Sequence, residues 1–112
     1  MSITAERDGN TLILELQGRL DSTSSAAVEA DILGQLDGGA AHVVLDFARL
    51  DYISSAGLRV ILVTAKRVKQ AGGIMVLCAL QPHIREVFEI SGFLSILTVT
   101  DDRAAAMAKA PA

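Results

Sequence analysis

Two short apolar runs, His-Val-Val-Leu-Asp-Phe at residues 42–47 and Ile-Met-Val-Leu-Cys at 74–78, most constrain what this chain can fold into. Each has the length of one strand and is nearly continuous in apolar side chains, the pattern of a strand covered on both faces. Between them Leu58, Ile61, Leu62, Ala65 and Val68 recur at helical spacing up to about residue 70. Arg59, Lys66, Arg67 and Lys69 lie mostly away from that stripe, and Gly72-Gly73 stops the helix. Strand, helix and strand over this distance imply a right-handed crossover and a parallel pair.

The flanking segments fit around that unit. Residues 3 to about 7 and 11 to about 17 read as two extended runs joined by the turn Asp8-Gly9-Asn10, a hairpin at the edge of a sheet. Leu12, Leu14 and Leu16 alternate with polar neighbours and mark one buried face; Ile13 indicates that the other face is partly covered as well. Gly18-Arg19-Leu20-Asp21 ends the strand, and any of Ser22, Thr23, Ser24 and Ser25 is a suitable N-cap for a helix carrying Val28, Ile32, Leu33 and Leu36. Gly38-Gly39 closes it. Pro82 opens a third helix that buries Ile84, Val87 and Phe88 and ends at Ser91-Gly92. Residues 95 to about 99 read as a last short strand, and Asp101-Asp102 as the cap of a final Ala-rich helix. The expected fold is α/β: a small mixed sheet with an antiparallel edge hairpin and a parallel centre, flanked by about four helices. Its length suits a single domain over residues 1–112.

Several function classes find no support. Half of the residues are hydrophobic but only 4% are aromatic, so the core must be built from Leu, Ile, Val and Ala. No apolar run approaches the roughly 20 residues that span a bilayer, and the first residues lack the pattern of a signal peptide. The lone Cys78 can form neither an internal disulfide nor a metal cluster, and its apolar strand marks it as an inert core thiol. These features point to a reducing cytoplasm. A net charge of −3 argues against nucleic acid as a partner. Neither Ser54 nor Ser55 has the preceding glycine of a nucleophile elbow, because Tyr52 and Ile53 stand there. His42 begins a strand and His83 sits in the first turn of a helix, both places for surface or capping roles. Phosphate-cradling loops and calcium-loop spacings are absent from the sequence. The expectation is a protein without catalytic residues, cofactor or metal.

What remains is residues 51–60, Asp-Tyr-Ile-Ser-Ser-Ala-Gly-Leu-Arg-Val. Ser54 and Ser55 sit where a loop becomes a helix, next to backbone N–H groups without intrahelical partners and the positive end of the helix dipole. A phosphate or a partner's carboxylate is electrostatically favoured there. Position alone says only that Ser54 or Ser55 caps the helix. Ala56 and Gly57 add little bulk, Arg59 lies one turn further on, and Asp46 closes the preceding strand, where ligands of such sheets gather.

The segments Val43-Val44-Leu45-Asp46-Phe47 and Tyr52-Ile53-Ser54-Ser55-Ala56-Gly57-Leu58-Arg59-Val60-Ile61-Leu62, with Gly18-Arg19-Leu20-Asp21 before them, resemble the STAS domain signature. The similarity runs from residue 18 to residue 92 and is greatest to stand-alone bacterial anti-sigma factor antagonists. It implies regulatory phosphorylation of the serine two places before Gly57-Leu58, which is Ser55. Many members carry Asp-Ser-Ser-Gly-Leu, whereas here Ser54 replaces the Asp and Ala56 the second Ser, so Ser54 is the second choice of acceptor. The resemblance further implies a partner face of Asp21, Asp46, Ser54, Ser55, Ala56, Gly57, Leu58 and Arg59. Its partners would be an anti-sigma factor serine kinase and a serine phosphatase of the metal-dependent class, with no nucleic acid and no direct membrane insertion. The alternatives are a constitutive STAS subunit of a membrane-associated lipid-transport complex, and a small-molecule or nucleotide sensor using a pocket near Asp21 and Asp46.

Overall fold

Leu12, Leu14 and Leu16 are fully buried on one face of their strand, and Ile13 is almost as well covered on the other. A strand with two covered faces needs a layer on each side, and the computed structural model, which describes residues 1–39 and 42–110, supplies both. The elements are β1 (Ser2–Asp8), β2 (Thr11–Leu20), α1 (Ser25–Leu36), β3 (His42–Ile53), α2 (Ser55–Gln70), β4 (Ile74–Cys78) and α3 (Pro82–Ile90). A single 3-10 turn (Phe93–Ser95), β5 (Thr98–Thr100) and α4 (Arg103–Lys109) follow. One sheet holds the strands in the order β1-β2-β3-β4-β5, with β1 antiparallel to β2 and every other pair parallel. The mixed sheet with an antiparallel edge and a parallel centre is therefore as the sequence implies.

The main core lies on the face covered by α1, α2 and α3, where Val28, Ile32, Leu58, Val60, Ile61, Ile84 and Phe88 meet Leu12, Leu14, Val43, Leu45 and Phe47. Phe47, Phe88 and Phe93 form an aromatic line with ring centroids 5.8 and 6.3 Å apart. On the opposite face Ile13, Val44, Val76 and Cys78 lie under Ala106 and Ala110 at the α4 end of the chain. Cys78 is fully buried there, and burial, with the Asp46 carboxylate as the second cause, pushes its thiol up to about 12. Arg103, the first residue of α4, reaches across three strands: its guanidinium lies 2.9 Å from Asp46 on β3, 3.2 Å from Glu15 on β2 and 3.4 Å from Glu6 on β1.

Three expectations are corrected. β3 does not end near Phe47 but runs to Ile53, because two register shifts each place one extra β3 residue opposite β2: Glu15 and Gln17 face Asp46 and Arg49, and Gly18 and Arg19 face Leu50 and Tyr52. Its inward residues consequently fall at Phe47, Leu50 and Ile53, a spacing of three that hides the strand in the sequence. The buried stripe of α2 is Gly57, Leu58, Val60, Ile61, Thr64 and Val68, with Leu62 and Ala65 only partly covered. Thr64 is tolerated inside because its hydroxyl donates to the Val60 carbonyl at 2.8 Å. The strand expected at residues 95–99 is a 3-10 turn followed by the three residues of β5.

Candidate functional site

β2 and β3 end level, with Leu20 opposite Ile53, so the next residue of each strand, Asp21 and Ser54, emerges side by side at the carboxyl edge of the sheet. The Ser54 N–H donates to the Leu20 carbonyl at 2.9 Å and fixes that alignment. Ser54 has an extended backbone and its Oγ accepts the Gly57 N–H at 3.2 Å; it is the N-cap of α2. Ser55 is the first helical residue and is exposed. Its hydroxyl makes no hydrogen bond among the described residues. The adjacent serines thus differ in kind: one hydroxyl is occupied in holding the helix start, the other is free.

Gly57 explains how the helix start comes so close to the sheet. A Cβ there would lie 2.7 Å from the Leu20 carbonyl oxygen and 2.8 Å from side-chain carbons of Leu20 and Ile53. The missing side chain lets the first turn of α2 rest directly on the ends of β2 and β3. Leu58 is only 7% exposed and points into the core. Both residues were expected on the partner face, and both instead seat the helix from beneath.

Asp21 organises the neighbouring helix start. Its Oδ1 accepts from the Thr23 hydroxyl at 2.6 Å, the Thr23 N–H at 2.9 Å and the Ser24 N–H at 3.3 Å. Led by the Thr23 hydroxyl, these donors hold its carboxyl below the usual carboxylate range, with Arg19 assisting. Ser24 occupies the N-cap position of α1, yet its side chain does not cap; it accepts from the Asp21 N–H and donates to the Arg19 carbonyl. Arg19 also lies over the Tyr52 ring, 4.3 Å from its centroid, and so packs the two strand ends together. At the start of α3, the N-cap residue Gln81 donates to the carbonyls of Ala48 and Leu50 and His83 to that of Asp51, clamping the bulged end of β3.

Asp46 is not part of this constellation. Because β3 continues for seven residues beyond it, Asp46 sits within the sheet on the α4 face, 6% exposed, and its carboxylate is taken by Arg103 and the Ala48 N–H. The structure brings together Asp21, Ser54, Ser55 and Ala56 and leaves Asp46 on the other side.

A shallow cleft runs between the starts of α1 and α2, lined from Ala56, the residue after Ser55, onward. Ser22, Ser25, Ala26 and Glu29 form one wall, and Ala56, Arg59 and Val60 the other. Its volume of about 280 Å³ falls just below the roughly 300–1,000 Å³ of typical small-molecule sites, and it suits a protruding side chain better than an enclosed ligand. The α1 wall was not singled out from the sequence; the hydroxyl-rich run at residues 22–25 was its only signal.

The STAS domain family model matches residues 2–106. A Bordetella bronchiseptica protein named as an anti-sigma factor antagonist, BtrV, is 53% identical over 108 residues, covering 96% of this chain and 93% of that protein. The anti-sigma F factor antagonist of Paenibacillus polymyxa is 30% identical, with 96% and 92% covered. Among solved structures, the anti-sigma factor antagonist SpoIIAA in its unphosphorylated form superposes with a TM-score of 0.78 at 24% identity, covering 93% of this chain and 92% of that one. Its phosphorylated form, from Bacillus, gives 0.73 at 22%, covering 96% and 98%.

Proposed function

The chain belongs to the STAS domain family, and from that premise we propose that it is an anti-sigma factor antagonist switched by phosphorylation of Ser55. It acts as one binding module over residues 1–112, in the cytoplasm, and is a substrate rather than a catalyst. Unphosphorylated, it binds an anti-sigma factor of the serine-kinase type and frees the sigma factor held there. The kinase transfers the γ-phosphoryl group of its own ATP to the Ser55 oxygen, which loses its proton as ADP departs. A metal-dependent serine phosphatase hydrolyses the ester and restores the hydroxyl.

The observation that carries this reading is the contrast between the two serines: Ser54 is engaged as a cap, whereas Ser55 is exposed and unengaged. A phosphoryl group brings about −1.5 to −2 charges and three acceptor oxygens. At the first residue of α2 the helix dipole tolerates that charge, so the fold need not change. A partner surface that is acidic or apolar meets repulsion and desolvation instead, with Asp21, level with Ser54 at the strand ends, adding to the negative field. Like-charge contacts across an interface cost several kcal/mol, and ~3 kcal/mol already weakens binding about a hundredfold. The two relatives named as antagonists support the partner class.

The test is site-resolved phosphopeptide mass spectrometry on the protein from its own cells, growing and stressed, with affinity capture of its partner kinase. Phosphate on Ser55 that changes with condition, and a Ser55→Glu variant that captures at least tenfold less kinase, are expected. Phosphate confined to Ser54 would move the acceptor by one residue. Its absence from both serines in every condition would overturn the switch.

A further inference from the structure

The charged groups lining the cleft between α1 and α2 are one of each sign, Glu29 on α1 and Arg59 on α2. Arg59 is exposed and makes no ion pair among the described residues. It stands four residues after Ser55 on the same helix. Residues four apart are neighbours on a helix surface, and long helical side chains lean toward the N-terminus, so the Arg59 guanidinium is within reach of the turn where Ser55 sits. The order, anion first and cation four residues later, is the favourable one for an ion pair along a helix. A guanidinium fork also matches the geometry of phosphate oxygens and binds them with two parallel hydrogen bonds.

We propose that Arg59 is the intramolecular receiver of the Ser55 phosphoryl group, so that phosphorylation withdraws the cation from the α1–α2 cleft and leaves Glu29 as its charged lining group. The modification then acts twice. It places negative charge at Ser55, and it converts the adjoining cleft from charge-balanced to acidic without moving the backbone. A partner that reaches into the cleft with an acidic side chain toward Arg59 loses its counter-charge at the moment it meets the phosphate. This inference rests on Ser55 as the acceptor.

The experiment uses the full chain with phosphoserine installed at position 55 during synthesis, so no kinase is needed. The second ionisation of the phosphate is followed by phosphorus NMR in the unaltered chain, in Arg59→Gln and in Arg59→Lys. The ionisation midpoint is expected to rise by about 0.3 unit or more in Arg59→Gln, the scale of one helical ion pair, with Arg59→Lys in between. The helix N–H groups are common to all three proteins, so they cannot produce the difference. The Arg59 Nε–H resonance is expected to move on phosphorylation. An unchanged midpoint in Arg59→Gln overturns the proposal. Phosphopeptide analysis of cells asks separately whether Ser55 is modified at all: a negative answer there removes the switch, while an unchanged midpoint with Ser55 modified in cells removes only the role of Arg59.

Discussion

Ser54 and Ser55 carry the same hydroxyl one residue apart, and backbone geometry assigns them different work. An extended residue before the first helical turn can turn its oxygen back to an N–H of that turn, whereas the first helical residue projects outward. Replacing Ser54 by Ala is expected to lower stability by about 1 kcal/mol in urea denaturation, whereas Ser55→Ala stays within about 0.5 kcal/mol. Equal losses at both positions would mean that both hydroxyls hold the helix. The sequence could not separate them, because cap preference applies to either serine and only the dihedral angles choose. Asp46 lies apart from the serines for a related reason. Its place at the end of an apolar run looked like the end of a strand, and the two bulges that carry β3 on to Ile53 leave no periodic trace.

At the scale of elements, the site depends on how closely α2 rests on the ends of β2 and β3. Gly57→Ala puts a methyl group against the Leu20 carbonyl, and backbone cannot rotate away as a side chain can. Ala gains about 1 kcal/mol over Gly in helix propensity, but overpacking of about 1–3 kcal/mol against backbone outweighs it. The variant is expected to melt at a lower temperature by circular dichroism and to exchange the Ser54 amide faster than the parent; a higher melting temperature would show that the contact is slack. The helix itself was legible, from its glycine stop and its apolar recurrence. Its exact face was not, since Gly57 and Thr64 belong to the buried side for reasons of space and hydrogen bonding that hydropathy does not register.

Across the whole molecule, the two faces of the sheet are held differently. The α1–α3 face is secured by large side chains, whereas α4 presents mainly alanines and depends on Arg103 clasping carboxylates from β1, β2 and β3. Arg103→Met is expected to lower stability by about 1–3 kcal/mol, less than for a fully buried pair because the guanidinium side chain is a third exposed, and to accelerate thiol labelling of Cys78. Adding Asp46→Leu should recover part of the loss by removing the stranded carboxylate, which a double-mutant cycle measures. Unaltered labelling in Arg103→Met would show that alanine packing alone retains α4. The strand order has a further consequence, for how the chain is made. Every strand lies beside the one synthesised just before it, and each pairing closes a loop no longer than one connecting helix and its turns. No gap has to be kept open for a strand still to come, so the sheet can extend at its growing edge as the polypeptide leaves the ribosome, with the three residues of β5 laid on last.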